Sequence, residues 1–192
     1  LPYRAKRHYS IVDGDTNYLT FGVRRDVTDD HEGEVSTILH DEVTIGDTLN
    51  LSAPVGGFGL ADNNNKQLFL GSGVGVTPLV SMYREAANKQ LAATFIQVTS
   101  NDNNVAFEQE LNDINNSVAQ GEFKTHFRDV DGFIDSKQLQ EYVDANTEIY
   151  ICGGNSFLNS MIMQLQTLDI PQENVHFETF IPRLSFSASS QA

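Results

Sequence analysis

Two hydrophobic periods divide the chain. From Lys66 onward, short continuous apolar runs at residues 68–70, 94–98 and 149–151 have the length and density of strands buried on both faces. Between them apolar residues recur at helical spacing. Leu79, Met82 and Tyr83 form one such set, Phe107, Leu111 and Ile114 a second, and Phe157, Met161, Leu165 and Leu168 a third. A weaker strand, "FKTHF", spans residues 123–127, and "NVHFETF" closes the series. Strand and helix in alternation predict a parallel α/β sheet. The first third follows a period of two instead. "RAKRHYSIV" ends like a strand, "YLTFGVRRDV" alternates apolar with polar, and "DGDTN" between them is a turn. "DTLNLSAPV" predicts a further short strand. Within "GEVSTILHDEV", Val35, Ile38 and Leu39 share one face and predict a short helix. The composition shift at "GLADNNNKQ" marks a boundary. A β-rich unit over 1–60, an alternating α/β unit over 66–182 and a loose tail at 183–192 are therefore expected.

Composition narrows the function classes. The chain has 192 residues, enough for one large domain or two small ones. No apolar run approaches the roughly 20 residues of a membrane span. No signal peptide is visible, and "LPYRAK" reads as the middle of something. A net charge of −14 argues against nucleic acid, whose phosphates need Lys and Arg. Cys152 is the only cysteine, so an internal disulfide, an iron–sulfur cluster and a four-cysteine zinc site are excluded within the chain, and a cytoplasmic location is expected. The histidines at 8, 31, 40, 126 and 176 form no metal-ligand spacing, and no metal is expected.

The candidate chemistry lies where strands meet glycines. In "GSGVGVTPLVSM" glycines stand at 71, 73 and 75, but the closing glycine of G-x-G-x-x-G falls on Val76. Thr77 is suited to an N-cap and Pro78 to the first helical position. Such a strand-to-helix loop lets backbone N–H groups approach a phosphate, although by itself it reads equally as a plain turn. "RHYS" sets Arg7 and Tyr9 on one face of a strand with Ser10 beside them: a cation, a ring and a hydroxyl. "GEVS", holding Gly33, Val35 and Ser36, opens the short helix with free N–H groups. "ICGGNSF" repeats the strand–glycine–helix junction at Cys152 and Gly153, where open α/β sheets bind ligands. "HFETF" brings Glu178 and Phe180 to the end of the final strand.

In this order, R-x-Y-S, G-x-V-S, G-x-G-V-T-P, C-G-G and a terminal E-x-F resemble the ferredoxin–NADP reductase superfamily along nearly the whole chain. More narrowly, "GEVSTILHDEVTIGDTLNLSAPVGGF" and "NVHFETFIP" are similar to the reductase part of flavohaemoglobins. The resemblance implies an antiparallel FAD-binding barrel, incomplete here, followed by a Rossmann-like NAD(P)-binding domain. Arg7 would bind a flavin phosphate, Tyr9 would stack on the isoalloxazine, and Ser10 would hydrogen-bond near its reactive nitrogen. Gly33, Val35 and Ser36 would bracket the FAD pyrophosphate, and Gly73, Gly75, Thr77 and Pro78 would cradle the pyridine nucleotide. Cys152 and Gly153 would border the nicotinamide, with Phe180 shielding the flavin and Glu178 nearby. Tyr9, Ser10, Cys152 and Glu178 would make up the catalytic set.

Electrons would pass to a globin or another acceptor, giving nitric oxide dioxygenase activity if a globin is joined. The reductase component of an oxygenase and a nucleotide-binding remnant are the alternatives. The chain departs from the family in three places. The barrel strands before R-x-Y-S are missing, Gly154 replaces the proline of C-G-P, and Ile181 replaces a glycine. An open barrel edge predicts weak FAD retention and self-association or local disorder. The loop after the second parallel strand, "TSNDNN", holds Ser100 and Asp102 where the adenosine ribose would lie. It has no Lys or Arg, which predicts a preference for NADH unless a cation such as Arg128 comes from elsewhere.

Overall fold

A computed structural model describes residues 6–28, 31–102 and 105–180. Residues 1–5, the last two asparagines of "TSNDNN", Ile181 and the expected tail lie outside the described residues.

The first third forms two separate antiparallel pairs. β1 (Ile11–Gly14) and β2 (Leu19–Phe21) close a hairpin in which the Asp15 carboxylate accepts the Asn17 amide at 2.6 Å. β3 (Val27–Thr28) pairs with β4 (His31–Glu32), and the helix α1 (Glu34–Asp41) follows as its apolar spacing predicts. Two expectations are corrected. Residues 7–10 precede β1 rather than lying in a strand, because β2 ends opposite Ile11 and pairs with nothing further upstream. The alternation that set Arg7 and Tyr9 on one face therefore does not apply. The "DTLNLSAPV" segment likewise forms no strand. Ile45, Leu49, Leu51 and Val55 stand exposed, because among the described residues no neighbour offers it a hydrogen-bonding edge.

From Gln67 the expected alternation appears: β5 (Gln67–Ser72), α2 (Val76–Asn88), β6 (Ala93–Thr99), α3 (Glu108–Asn115), β7 (Phe123–Phe127), α4 (Arg128–Asp131), α5 (Ser136–Leu139), β8 (Glu148–Gly153), α6 (Asn155–Gln166) and β9 (Val175–Thr179). All five strands are parallel, in the order β7-β6-β5-β8-β9. The chain starts in the middle at β5, winds outward through β6 and β7, then crosses to β8 on the other side. The connections thus reverse direction between β5 and β8, where open sheets bind ligands.

Alternate side chains serve opposite faces, which is why the central strands read as unbroken apolar runs. Phe69, Phe95 and Tyr150 meet Val76, Leu79, Tyr83 and Leu111 on one face. The rings interlock there, with Phe69 and Tyr150 centroids 5.3 Å apart and Tyr83 and Phe95 5.4 Å apart. Leu68, Leu70, Ile96 and Ile151 meet Leu139, Leu158, Met161 and Leu165 on the other. Val12 of β1 is fully buried in the first of these clusters. Phe107 and Leu168, placed by spacing within helices, lie just outside α3 and α6. Among the described residues no helix is long and apolar enough to cross a membrane.

Candidate functional site

At the C-terminal edge of the sheet β5 leaves through extended Ser72 into Gly73, whose φ of +58° favours glycine. One 3₁₀ turn, Gly73–Gly75, runs directly into α2. Gly75 is buried, and a Cβ there would run into the backbone carbonyl of Cys152. Only glycine allows β5's exit loop and β8's end to touch so closely. The expected helix start is corrected accordingly. Because the 3₁₀ turn already continues into the helix, Thr77 is its second residue rather than its cap, and Pro78 is its third. The Thr77 hydroxyl donates backwards to the Val74 carbonyl at 2.8 Å. No side chain caps the turn, which leaves the positive end of the helix available to an anion.

Arg24, in the link between β2 and β3, brings a cation to the same place. Its Nη1 lies 3.7 Å from the Cβ position of Gly73. Its neighbour Arg25 is bound to Asp41, with one contact at 2.8 Å, and to Glu32 at 3.7 Å. Arg24 makes no ion pair or hydrogen bond among the described residues and is exposed. Sequence reasoning read Arg24 only as part of an alternating strand. Its one local signal was an arginine pair, and nothing in the spacing says which member is engaged.

Across the crevice, Cys152 is fully buried and stands level with Glu178 of β9 in the strand register. Burial, then the Glu178 charge, pushes the Cys152 thiol up to about 12, so it is neutral at pH 7. A buried neutral thiol offers the crevice a small side chain and its backbone. Gly153 has no room for a side chain beside Phe157, 2.6 Å from its Cβ position, whereas Gly154 faces open space. Glu178 is half-buried, and Phe180, at the end of the described chain, is 39% exposed.

At the second strand end the Arg128 guanidinium donates to the Ser100 hydroxyl at 2.9 Å. The loop without Lys or Arg thus acquires a cation from the end of β7, while Asp102 is exposed nearby in sequence. Asp129 and Asp131 follow Arg128 within the single turn of α4.

The flavin-type residues are less closely joined. Tyr9 and Ser10 are half-buried and Arg7 is exposed. Burial raises the Tyr9 phenol and the Arg7 charge opposes the rise. Gly33 supplies no side-chain cap for α1, so the backbone N–H groups around Val35 remain an anion-type helix start. The buried Ser36 hydroxyl donates to the Gly33 carbonyl at 2.9 Å and accepts the Asp26 amide at 3.0 Å, tying α1 to the residue before β3. Gly33 is needed there because a Cβ would lie 2.8 Å from both Asp26 and Ser36. Among the described residues no hydrogen bond or ion pair joins residues 7–10 to α1 or to Phe180, so the tertiary structure unites the nucleotide-type residues more directly than the flavin-type ones.

Comparison with known proteins agrees with this geometry. Residues 69–162 match the oxidoreductase NAD-binding domain family. Flavohemoprotein A of Dictyostelium discoideum is 32% identical over 187 residues, covering 92% of this chain and 47% of that protein. The chain spans about half the length of the curated relatives it matches. Among solved structures, the flavohaem-like FAD/NAD-binding domain of a nitric oxide dioxygenase from Vibrio cholerae superposes with a TM-score of 0.77 at 22% identity, covering 94% of this chain and 79% of that one. A ferredoxin–NADP⁺ reductase variant from Plasmodium falciparum, solved with 2′P-AMP, superposes with a TM-score of 0.75 at 18% identity, covering 93% and 78%. With its five parallel strands, its glycine turn at the reversal point and relatives matched along nearly its whole length, the chain is similar to the reductase part of flavohaemoproteins and shares the fold of ferredoxin–NADP⁺ reductases.

Proposed function

We propose that this chain is an NAD(P)H-dependent flavin oxidoreductase, with FAD held by residues 1–60 and the nucleotide by residues 66–182. The observation that carries the reading is the uncapped Gly73–Gly75 turn at the sheet's reversal point with the Arg24 guanidinium, unpaired among the described residues, beside it. The donor set fits a dinucleotide pyrophosphate: a helix N-terminus, a glycine with no side chain in the way and a cation 3.7 Å from its Cβ position. The flavin-type set fits in kind, since Arg7, the Tyr9 ring, Ser10 and the uncapped start of α1 offer a cation, a flat surface, a hydroxyl and N–H donors.

FAD, when bound, supplies the chemistry that accepts a hydride and gives up electrons singly. The chain's own residues bind and orient. Arg24 and the N–H groups of the glycine turn hold the nucleotide pyrophosphate, and the backbone at Cys152 and Gly153 sets the depth of the nicotinamide. Glu178 would supply a polar group at the reacting end, and Phe180 would shield a face of the flavin ring. The electron acceptor is a globin or another haem protein. Joined to a globin, the reductase would support nitric oxide dioxygenase activity, the activity named for the Vibrio cholerae relative. NADH is the preferred donor. Arg128 is one cation set among Asp102, Asp129 and Asp131, and a 2′-phosphate would meet a net negative strand end.

Equilibrium dialysis against FAD tests the reading, followed by anaerobic addition of NADH to the protein at saturating FAD. A flavin spectrum that bleaches with NADH is expected, together with turnover of an artificial acceptor. Absence of bleaching overturns it. A protein that takes up no FAD but still binds NADH would favour a nucleotide-binding remnant, a second reading supported by the two unclosed strand pairs of the flavin half.

A further inference from the structure

We infer that Arg84, with Asp13 and Glu110, positions the flavin-type stretch against the nucleotide turn. This rests on the oxidoreductase reading for its kinetic consequence but not for its structural one. Arg84 lies on α2, where its Nε sits 3.4 Å from the Asp13 carboxylate of β1 and its Nη2 is bound to the Glu110 carboxylate of α3. Among the described residues its Nε has no hydrogen bond, and the Asp13 carboxylate is the charge that compensates it. The three side chains are each about two-thirds shielded from water, with exposures of 28–33%. Asp13 also accepts the Tyr18 hydroxyl at 3.1 Å, which ties the hairpin's turn to the same cation.

Two further contacts hold the hairpin on the same helices. The β1–β2 register slips between Ile11 and Asp13, an irregularity of the kind that re-aims side chains. The fully buried Val12 enters the apolar cluster of α2 while Asp13 meets Arg84. At the open end, Gly22 follows β2 so closely packed that a Cβ would lie 2.6 Å from Thr77 and 2.8 Å from Phe107. Phe107 adopts φ +57°, a costly conformation for a large side chain, and its ring packs against the apolar cluster of α2.

The connectivity gives these contacts their consequence. Residues 7–10 enter β1 directly, and Arg24 is two residues beyond Gly22. Ile11 pairs with Phe21, so the open end of the hairpin carries both the flavin-type stretch, entering β1, and the nucleotide's cation, leaving β2. Its seat on α2 and α3 sets the distance between the two cofactors. Hydride transfer needs reacting atoms near contact, and small misplacement from a remote change lowers the rate steeply. Arg84 is thus a positioning residue and touches neither cofactor.

The test compares Arg84→Met and Arg84→Lys with the full chain. In Arg84→Met the rate of flavin bleaching at saturating NADH should fall about tenfold, while the NADH dissociation constant rises no more than about twofold, because the glycine turn of α2 stays in place and only Arg24 moves with the hairpin. Arg84→Lys, which keeps the charge, should recover most of the rate. Unchanged bleaching, or equal losses in binding and rate, would overturn the positioning role. Native-state hydrogen exchange supplies a second readout that needs no cofactor. The Val12 amide should exchange with the α2 amides in the wild type and earlier than them in Arg84→Met. If the wild type fails to bleach, the oxidoreductase reading fails, and the exchange result alone judges the lock. Val12 protection unaltered by Arg84→Met would sink it.

Discussion

Three glycines in the crevice differ in what their missing side chain does. Gly75 has the Cys152 carbonyl where its Cβ would stand, and Gly73 needs its positive φ. Gly154 has neither constraint. Its φ is −68°, its Cβ position is open, and its amide makes no loop hydrogen bond among the described residues. Gly75→Ala should cost about 1–3 kcal/mol by overpacking and weaken NADH binding. Gly154→Pro, which restores the family's residue, should gain about 0.4–1 kcal/mol, because proline's fixed φ matches the native one. Urea denaturation with NADH fluorescence titration measures both, and the opposite order of effects would show the crevice to be misdescribed. At the ribose end, Asp102→Arg should raise catalytic efficiency with NADPH relative to NADH. Arg128→Ala should lower efficiency with NADPH alone. Steady-state turnover with both donors checks the pair, and an unmoved ratio clears both residues of discrimination.

Among the elements, β8 and β9 are joined to the connecting segment before β5 by a buried carboxylate. Glu148 is 4% exposed. It accepts the Asn63 and Asn65 side-chain amides at 2.8 and 3.0 Å and His176 Nε2–H at 2.7 Å, while the His176 ring stacks on Tyr150. Burial pushes the Glu148 carboxyl up, but these three hydrogen bonds together outweigh it and hold the carboxyl below its ordinary value. A carboxyl depressed in the folded state stabilises the fold above its unfolded value of about 4.3, and that contribution is lost as pH falls through the native value. Stability is therefore expected to decline below about pH 4, and less steeply in Glu148→Gln. At pH 7 that variant should lose about 1–3 kcal/mol, since its amide nitrogen faces a donor. Asp41 and Asp47 are also held low, by Arg25 and by Thr44, but both are exposed and water screens them. Denaturation midpoints across pH 3–7 for the two proteins isolate Glu148. Parallel curves would assign the acid sensitivity elsewhere.

For the whole molecule, the two halves differ in how well they cover themselves. The parallel sheet has an apolar cluster on each face. The flavin half has two short strand pairs and exposes Tyr18, Leu19, Val27, Ile45, Leu49, Leu51 and Val55. Apolar side chains beside unpaired strand edges recruit other chains, and the net charge of −14 opposes this only at low salt. We expect this chain to retain FAD weakly and to self-associate increasingly as salt is raised. Sedimentation velocity at low and high salt, with the flavin content of each species, checks this. Ile45→Lys with Val55→Lys should shift the protein toward monomer. A salt-independent monomer with one FAD per chain would overturn the expectation.

The parallel sheet and its helices were legible in the sequence because burial on both faces writes itself as runs of apolar residues, and the glycine turn because only glycine tolerates its backbone. The ordered motifs, read together, pointed to the family. Local pattern did not reach the details that depend on distant neighbours. "DTLNLSAPV" has a strand's composition, but a strand exists only beside a hydrogen-bonding partner, and among the described residues it has none. Thr77 has the residue type of a cap, yet the 3₁₀ turn before it moved the helix start upstream. Arg24 beside Gly73, Arg128 on Ser100 and Asn63 on Glu148 join positions far apart in the chain, separated by 28 and 85 residues in the last two cases. Residue type and spacing settled which groups could bind phosphate, stack or turn, because those are properties of the side chain and its immediate backbone. Which of them meet was decided by the order of strands in the sheet, which brings β5 beside β8 and seats the β1–β2 hairpin on α2.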